Sequence, residues 1–438
     1  MTYISKFLNR LLLAIIFISL FSGCSSKVKI EKVIKEKPYK YASMKDGVLH
    51  LDLDKSRQDS AIMNLSDICD SLIYIPLETK KECLLGSHLN EFYMDKEEIF
   101  IQVNTSAYHF KRTGEFVCQF GRRGRGPGEY VCTDFAVNKD DKRVYAHSIY
   151  GHRIFEFNYD GKLLSSKVRT KEGQTGMLYS PKDKSLIYTS TYSLSLDKDI
   201  KSDSYTMLNS FDLKGKQNYN LKSKYFPSNF FDEGKGGRVF VPGVTKYLVN
   251  NSLYFQELAS DTIFRKDKDS LFPHIILNNS DFRKPFKSAR FKSKVKSRMV
   301  WFIDGYPNFP LKVCGESSRF VFIDCSAEPA YIYDKKERML TCVKYHKEEV
   351  DGKKQGEKET IKYVYVNDMD KINNIEYTWV INNKYLLSKI SAIDFLENLE
   401  KLKASAKGYN KYLARLEEIA KGMTEESNPV IMLARLKK

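Results

Sequence analysis

The stretch from Phe116 to Leu164 constrains the fold more than any other part of this chain. It holds four short apolar runs, which are separated by a glycine-rich arm, by the polar residues 138–142 and by residues 148–151. Asp160-Gly161 then supplies the positive φ that a tight hairpin turn needs. Runs this short, each closed by a turn, form small antiparallel sheets rather than one long sheet. The sequence therefore predicts an all-β chain that is built from small repeated sheets.

A hairpin signature that ends near a glycine recurs along the sequence. It occupies residues 108–114, 155–161 and 209–215, and a degenerate copy covers residues 331–336. A period of about 40 to 50 residues with four strands per unit is typical of the blades of a β-propeller. The pattern predicts six blades, near residues 84–120, 121–165, 166–220, 238–270, 312–346 and 360–390. We expect the ring to be closed by residues 74–77, which would pair with residues 430–436 and remove an open edge.

The same motifs resemble a known repeat and a known group of proteins. Residues 120–130, 136–137, 152–154 and 160–162 match the NHL repeat, and the run GRRGRGPGEY is similar to the hallmark of six-bladed propeller lipoproteins from Bacteroides-like bacteria. Residues 74–79, 260–265 and 427–432 also agree with that family. The resemblance implies a six-bladed β-propeller with a lipid anchor, and it implies no reaction mechanism.

The first residues predict the compartment. Lys6 and Arg10 precede the apolar run 11–21, which is too short to span a bilayer but suits a signal peptide. The small residues before Cys24 resemble a lipobox, which implies that residues 1–23 are removed and that Cys24 carries palmitate or a similar acyl chain. The alternatives are an uncleaved anchor and an ordinary signal peptide with an incidental cysteine. Ser25 after the cysteine resembles the pattern of outer-membrane lipoproteins, and the lack of a following acidic cluster favours the periplasmic face over the cell surface.

The charge of the chain favours anionic partners. The 438 residues carry a formal net charge of +17, and the positive side chains are spread along the sequence. Diffuse basicity suits lipid headgroups or acidic glycans, whereas nucleic acid is not expected as a partner outside the cytoplasm. Residues 24–41 are interpreted as a solvated tether, and residues 42–438 as the propeller. No second hydrophobic span follows the signal segment, so the body is predicted to be soluble.

The eight cysteines do not indicate a zinc site, because no CxxC or Cys/His ligand spacing occurs. Cys118 and Cys132 are candidates for neighbouring strands, as are Cys325 and Cys342. The compartment permits disulfides, but buried free thiols are the favoured interpretation.

Two segments interrupt the blade pattern. Residues 281–301 are basic and lack alternation, so we expect a helical excursion between blades. Residues 391–394 read as a capping box, and apolar or small residues then recur on one helix face at 402, 406, 409, 413, 416 and 420. We therefore predict a helical insertion over 391–422, broken at Gly408, capped by Gly422 and packed on the propeller. A stripe that binds a partner is the alternative.

The glycine-rich arm holds one set of candidate ligand-binding residues. Arg122, Arg123 and Arg125 offer guanidinium groups that suit carboxylate, sulfate or phosphate. The favoured alternative is that the glycines serve a tight crossover while the arginines are solvated. Asp134, just before an innermost strand, is the fourth candidate because its side chain is expected to face the central channel, as is that of Glu129.

No catalytic or metal-binding residue is assigned. His147 and His152 flank a turn, but no carboxylate is spaced to complete a metal site with them. Trp301, Trp379 and the many tyrosines are explained by blade packing, although they also suit sugar rings. No nucleophile motif and no paired carboxylates with a defined register occur.

The leading hypothesis is therefore a non-catalytic binding module, anchored to the outer membrane, for a glycan, a peptide or an envelope protein. The resemblance to six-bladed enzymes implies one alternative, a calcium-dependent lactonase or lyase. A structural scaffold of an outer-membrane complex is the other. The sequence does not identify the ligand, the propeller face that is used or the oligomeric state.

Overall fold

The computed structural model describes most of the chain after residue 36. The described residues are 37–86, 89–124, 126, 129–148, 152–166, 174–190, 192–195, 206–222, 238–241, 244–257, 260–268, 270–280, 288–295, 298–304, 311–325, 329–351, 358–405 and 411–438. The chain divides into two compact units, residues 1–38 and residues 39–438. Of the first unit only residues 37 and 38 are described, so the predicted signal peptide and Cys24 lie outside the described residues.

The second unit begins with short elements that precede the blades. They are β1 (Ala42–Lys45), β2 (Val48–Asp52), α1 (Leu53–Ser56), the 3₁₀ turn Arg57–Asp59, β3 (Met63–Asn64), α2 (Leu65–Ile68), β4 (Cys69–Pro76) and the 3₁₀ turn Lys81–Cys83. Each short helix starts at a polar cap. The Asp52 carboxylate accepts a hydrogen bond from the backbone N–H of Lys55 at 3.1 Å, and the Asp67 carboxylate accepts one from that of Asn64 at 3.2 Å.

The described residues form six blades, as predicted. Each blade is built on four antiparallel strands. Blade 1 holds β5 (Leu89–Met94), β6 (Glu98–Val103), β7 (Ser106–Lys111) and β8 (Phe116–Phe120), and blade 2 holds β9 (Cys132–Asn138), β10 (Arg143–Ser148), β11 (Arg153–Asn158) and β12 (Leu163–Ser165). Blade 3 holds β13 (Gln174–Ser180), β14 (Ser185–Ser190), β16 (Thr206–Asp212) and β17 (Gln217–Lys222), with the pair β15 (Tyr192–Ser195) and β18 (Arg238–Val241) as an excursion.

The later blades follow the same order. Blade 4 holds β19 (Val244–Val249), β20 (Ser252–Glu257), β21 (Thr262–Asp267) and β22 (Ser270–Asn278), and the pair β23 (Ser288–Val295) and β24 (Arg298–Asp304) follows it. Blade 5 holds β25 (Leu311–Glu316), β26 (Phe320–Cys325), β27 (Ala330–Asp334) and β28 (Met339–Val343). The pair β29 (His346–Asp351) and β30 (Lys358–Tyr363) and the short β31 (Tyr365–Val366) lead to blade 6, which holds β32 (Val380–Ile381), β33 (Tyr385–Ile390), β34 (Val430–Leu436) and β4.

Strands inside a blade are apolar at successive positions because both faces of each sheet are covered by neighbouring blades. In β6, Ile99 and Ile101 pack in the core shared with Leu433 of blade 6. Phe100 points the opposite way, into the core shared with Phe157 of blade 2. Alternate side chains of one strand therefore serve two different cores, and the usual alternation of apolar and polar residues disappears.

The ring is closed as the sequence predicted. β34 lies between β33 and β4, and its antiparallel pairing with β4 runs from Val430 opposite Pro76 to Leu436 opposite Cys69. The last strand of the chain thus completes a blade with a strand from its beginning. β34 is thereby paired on both sides, and β4 becomes the outer strand of blade 6.

Blade 4 is larger than predicted. It extends to Asn278, and β2 pairs in parallel with β22, so that Leu49 lies opposite Ile275. Together with β1, this makes a sheet of six strands. The addition covers the outer edge of the blade.

The helical excursion expected over residues 281–301 is wrong. The described part of this segment forms the antiparallel pair β23 and β24, with Ala289 opposite Ile303. A register shift between Phe291 and Ser293 interrupts the pairing. A bulge of this kind breaks the two-residue alternation from which a strand is recognised.

The C-terminal helices lie where they were predicted and pack on the propeller. They are α3 (Ala392–Ser405) and α4 (Lys411–Ala420), and the Ser391 hydroxyl accepts a hydrogen bond from the backbone N–H of Asp394 at 3.1 Å. Phe395, Leu399 and Leu416 are buried in the core of blade 6. Residues 406, 408 and 409 lie outside the described residues, while Gly422 has the predicted left-handed conformation at φ +79°. None of the described helices is long and apolar enough to cross a membrane.

The cysteines with described side chains are free thiols, which agrees with the favoured interpretation. They are Cys69, Cys83, Cys118, Cys132, Cys314 and Cys342. Cys118 and Cys342 therefore do not form the two disulfides considered from the sequence.

A buried carboxylate joins blades 4 and 5. Glu316, at the end of β25, is 3% exposed. Its carboxylate accepts hydrogen bonds from the Tyr247 hydroxyl at 2.8 Å and the Lys335 ammonium at 2.8 Å, and it lies 2.7 Å from Nε2 of His274. Burial opposes ionisation, but His274 and Lys335 outweigh it and hold the pKa of Glu316 at about 2.

This contact predicts acid-sensitive stability. Since the pKa of Glu316 is about 2 in the folded protein and about 4.5 when unfolded, its contribution is complete above pH 4.5 and is lost as the pH falls towards 2. We expect a loss of about 3 kcal/mol of unfolding free energy over this window. Urea denaturation at pH 5 and at pH 3 should show about 2 kcal/mol of this loss in the unmodified protein and a clearly smaller loss in Glu316→Gln. The exposed Glu417→Gln serves as the control, and equal pH dependence in both variants would contradict the assignment.

Candidate ligand site in the central channel

The first strand of each blade borders the central channel, and the hairpin that follows it lies at one mouth. These strands are β5, β9, β13, β19, β25 and β32. A cavity of about 1550 Å³ lies at this mouth. It is lined by residues from each of these hairpins, namely Asp95-Lys96, Lys139-Asp140, Pro181, Asn250-Asn251, Ser317-Ser318 and Asn382-Asn383. Every described blade therefore contributes to one concave surface, which is large enough for a peptide or an oligosaccharide.

The mouth is predominantly basic. Its described lining has eight basic side chains, Lys96, Arg112, Lys139, Lys335, Lys384, Arg435, Lys437 and Lys438, against the four acidic side chains Asp70, Glu91, Asp95 and Asp140. Asp70 is already paired with Arg435 at 2.6 Å. The Asp95 carboxylate accepts hydrogen bonds from the backbone N–H groups of Glu97 and Glu98, both at 2.9 Å. Lys335 is likewise paired with the buried Glu316 at 2.8 Å. With these two pairs set aside, six basic and three acidic side chains remain, so the charge at the mouth is mainly positive.

Among these basic groups, Arg112 has a hydrogen-bond donor that is left without an acceptor in the described part of the chain. It lies in the turn after β7, with its guanidinium 5.8 Å from the centre of the Tyr385 ring. Its Nη1 is buried and has no hydrogen-bond partner among the described residues. Burial lowers the pKa of Arg112, although the group remains charged. A buried guanidinium nitrogen with an unused N–H is a ready donor for a carboxylate or sulfate.

Three charged side chains lie behind the mouth, each the third residue of an innermost strand. They are Glu91 of β5, Asp134 of β9 and Lys246 of β19. Burial raises the pKa of Glu91 to about 7, and repulsion from Asp134 adds to the rise. Burial also raises the pKa of Asp134 to about 6, while Lys246 and the backbone N–H groups of Gly176 and Met177 oppose it. Burial lowers the pKa of Lys246, against the attraction of both carboxylates.

β-Bulges position this cluster. The register of β5 shifts between Leu89 and Glu91, that of β9 shifts next to Asp134, and that of β13 shifts between Thr175 and Met177. Bulges redirect side chains and backbone groups at the edge of a sheet. At Gly176, where φ is +59°, the bulge turns two N–H groups towards the Asp134 carboxylate.

The cluster is not internally satisfied. Asp134 is 5% exposed, and its Oδ2 has no hydrogen-bond partner among the described residues. Within the same described part of the chain, no ion pair joins Lys246 to Glu91 or to Asp134. The charges thus interact without an ion pair, and Oδ2 of Asp134 can still accept a hydrogen bond.

The structure places the predicted site residues in different regions. Asp134 is the third residue of the innermost strand β9, whereas the sequence placed it just before that strand. Glu129 instead folds back on the glycine-rich arm, where its Oε2 accepts a hydrogen bond from the backbone N–H of Gly126 at 2.9 Å. A β-carbon at Gly124 would lie 1.9 Å from that same oxygen. Glycine is therefore required at position 124 for the close approach of Glu129.

The arginines of the arm are separate from the channel. Arg122 and Arg123 are exposed and do not line the mouth cavity. Arg125 lies outside the described residues. The structure therefore does not bring Arg122 or Arg123 together with Asp134 in the mouth cavity.

His147 is part of the interior of blade 2. His147 is buried, and its Nδ1 lies 3.0 Å from the Thr133 hydroxyl. Burial, aided by repulsion from His152, lowers the pKa of His147 to about 4. Among the described residues, no group of three or more His, Cys, Asp or Glu side chains is placed to hold a metal ion.

Glu91, Lys246 and Arg112 were not found from the sequence. A usable signal exists for Lys246, which interrupts the apolar run 244–249 of an innermost strand. Glu91 lies next to the aromatic residues 92 and 93 in the same way. A charge inside such a run is costly to bury, which marks it for attention.

The cluster predicts a measurable crowding effect at Gly176. A β-carbon there would lie 2.6 Å from the Thr189 hydroxyl and 2.9 Å from Nζ of Lys246. We expect Gly176→Ala to cost about 3 kcal/mol of unfolding free energy, since strain at positive φ and crowding add. In the control Gly47→Ala, φ is +76° but nothing lies within 4 Å. That variant should cost only about 1 kcal/mol, and equal losses in urea denaturation would exclude the crowding.

Comparison with known proteins agrees with the fold. The chain is similar to a putative exported protein from Bacteroides fragilis, with a TM-score of 0.57 and 17% identity over 87% of this chain and 98% of that one. It also matches a member of the DUF4221 family from Bacteroides vulgatus, with a TM-score of 0.44 and 9% identity over 84% and 97% of the two chains. No curated protein matches the sequence. The family model described as a domain of unknown function, DUF4934, matches residues 48–435, and this chain therefore belongs to the DUF4934 family.

Proposed function

We propose that this propeller is a non-catalytic binding module of the cell envelope, whose channel mouth takes an acidic ligand such as an acidic peptide or glycan. The observation that carries the proposal is the mouth cavity, to which the hairpins of every described blade contribute and in which basic side chains outnumber acidic ones by eight to four. Arginine and lysine donors suit carboxylates and sulfates, and a concave basic surface attracts anions from a distance. The overall charge of +17 acts in the same direction.

Affinity for acidic probes tests this function. We expect a pentaglutamate peptide or a trigalacturonate to bind the full chain, and to bind more weakly in 300 mM than in 50 mM salt because screening weakens the attraction. Arg112→Ala should weaken binding about 10-fold, the effect of losing one charged hydrogen bond. Isothermal titration calorimetry measures both effects.

The matched control is Arg122→Ala, which removes an exposed arginine outside the mouth. Unchanged binding in this variant supports the mouth as the site. If Arg122→Ala weakens binding and Arg112→Ala does not, the ligand lies on the glycine-rich arm instead. If neither probe binds, the role as an acidic-ligand module is wrong, and the scaffold of an outer-membrane complex becomes the better hypothesis.

The calcium-dependent enzyme is the less favoured alternative on chemical grounds. Calcium binds six to eight oxygen ligands. The two carboxylates of the channel share their surroundings with the Lys246 ammonium, whose charge repels a divalent cation.

We also propose that the protein is a lipoprotein of the outer membrane, facing the periplasm, with its blades built on NHL-like repeats. The lipobox-like residues before Cys24 support the anchor, and the similarity to an exported Bacteroides protein supports export. Several acyl chains on one cysteine would make attachment stable rather than transient.

Replacement of the acylated cysteine tests the anchor. We expect the full-length protein to sediment with the membrane fraction after expression in a Bacteroides host, and to incorporate labelled palmitate. Cys24→Ala should abolish the label and release the protein from the membrane, whereas Cys118→Ala should change neither. Label that persists in Cys24→Ala would contradict lipidation at this residue.

A further inference from the structure

Glu91 connects the mouth cavity with the charged cluster, while Asp134 and Lys246 do not line the cavity. The Glu91 side chain lines the cavity and also interacts electrostatically with Asp134 and Lys246 behind it. A ligand held in the mouth therefore meets the cluster first at Glu91. The basic lining explains why the mouth would hold an acidic ligand. It does not explain why the carboxylates of Glu91 and Asp134 lie at the deeper position.

The cluster lacks donors. Asp134 and Glu91 together bring two carboxyl groups against the one ammonium of Lys246, and no ion pair among the described residues joins them. Oδ2 of Asp134 is buried without a hydrogen-bond partner, although the residue is only 5% exposed. A buried acceptor without a donor costs about 1 to 3 kcal/mol, and a ligand group that supplies the donor recovers that free energy.

We propose that the cluster of Glu91, Asp134 and Lys246 binds the free amino terminus of a peptide whose acidic groups occupy the basic mouth. The proposal rests on the proposed function and specifies its ligand. A primary ammonium carries the charge that the two carboxylates lack and brings three N–H donors, one of which reaches Oδ2 of Asp134. Lys246 then stands on the side away from the ligand ammonium and keeps the second carboxylate ionised.

An acidic peptide with a free amino terminus matches both regions at once. Its ammonium meets the carboxylates at depth, and its side-chain carboxylates meet Arg112 and the lysines of the mouth. An acidic glycan satisfies the mouth alone, because its hydroxyl groups are neutral and donate more weakly. An amino sugar offers the same ammonium, so the experiment includes one.

The first test uses the full chain in detergent and the tripeptide Ala-Glu-Glu with a free or an acetylated amino terminus. We expect acetylation to weaken binding about 30-fold in isothermal titration calorimetry at pH 7.5, because the charge and two donors are lost. Equal binding of the two forms would overturn the proposal while leaving the acidic-ligand function intact. Failure of both forms, together with pentaglutamate and trigalacturonate, would instead overturn the proposed function itself.

Isosteric variants locate the effect. Asp134→Asn should reduce the preference for the free over the acetylated peptide from about 30-fold to less than 3-fold, and Glu91→Gln should reduce it in the same direction if Asp134→Asn does not fold. The control is Asp324→Asn, which changes an aspartate that is 6% exposed on β26. It should keep the full preference, and loss of preference in the control alone would overturn the assignment.

A glucosamine trisaccharide separates the two sources of a primary ammonium. We expect it to bind at least 10-fold more weakly than Ala-Glu-Glu, since it has no carboxylates for the basic mouth. Tighter binding of the trisaccharide would overturn the peptide assignment.

Discussion

The antiparallel pairing of β34 with β4 is the interaction on which this propeller depends. It joins residues that are more than 350 positions apart, with Ile431 opposite Ile75 and Leu433 opposite Ile73. Without it, blade 6 would consist of the three strands β32, β33 and β34, and β4 would have no partner strand. The side chains of β34 are buried almost throughout, so the closing strand also completes the cores on both sides of the blade. Closure therefore supplies backbone pairing and apolar burial in a single element.

A closed ring also determines where polar chemistry is placed. Both faces of each blade pack against neighbouring blades. The channel is therefore lined by side chains of the innermost strands and of the hairpins that follow them. Bulges in β5, β9 and β13 turn residues of these strands out of the regular pattern. Glu91, Asp134 and Lys246 come from three different blades and meet only because the ring is closed. Their meeting is thus a property of the assembled ring rather than of any single blade.

Local sequence signals predicted the parts of the fold that depend on local geometry. The hairpin glycines identified the blades because a turn needs positive φ, as at Gly114, Gly161 and Gly215. The capping pair Ser391 and Asp394 located α3 because an N-cap is likewise a local hydrogen bond between near neighbours in sequence. The parallel addition of β2 to blade 4 could not be predicted, since Leu49 meets Ile275 through a contact without a local signature. Asp134 was found from its position before a strand, whereas its partners depend on the ring.

The buried charges of the channel are the strongest physical argument that the site has a purpose beyond stability. Taking charged groups out of water is expensive, and apolar side chains of similar volume are often more stabilising in the same place. Glu316 shows how this protein compensates such a cost, with donors from Tyr247, His274 and Lys335 around one carboxylate. Asp134 receives no such full set, and its Oδ2 is buried without a hydrogen-bond partner among the described residues. The fold supplies the Glu316 carboxylate with a complete set of donors and leaves the Asp134 carboxylate short of one. This difference supports a role for Asp134 in binding a donor from a ligand.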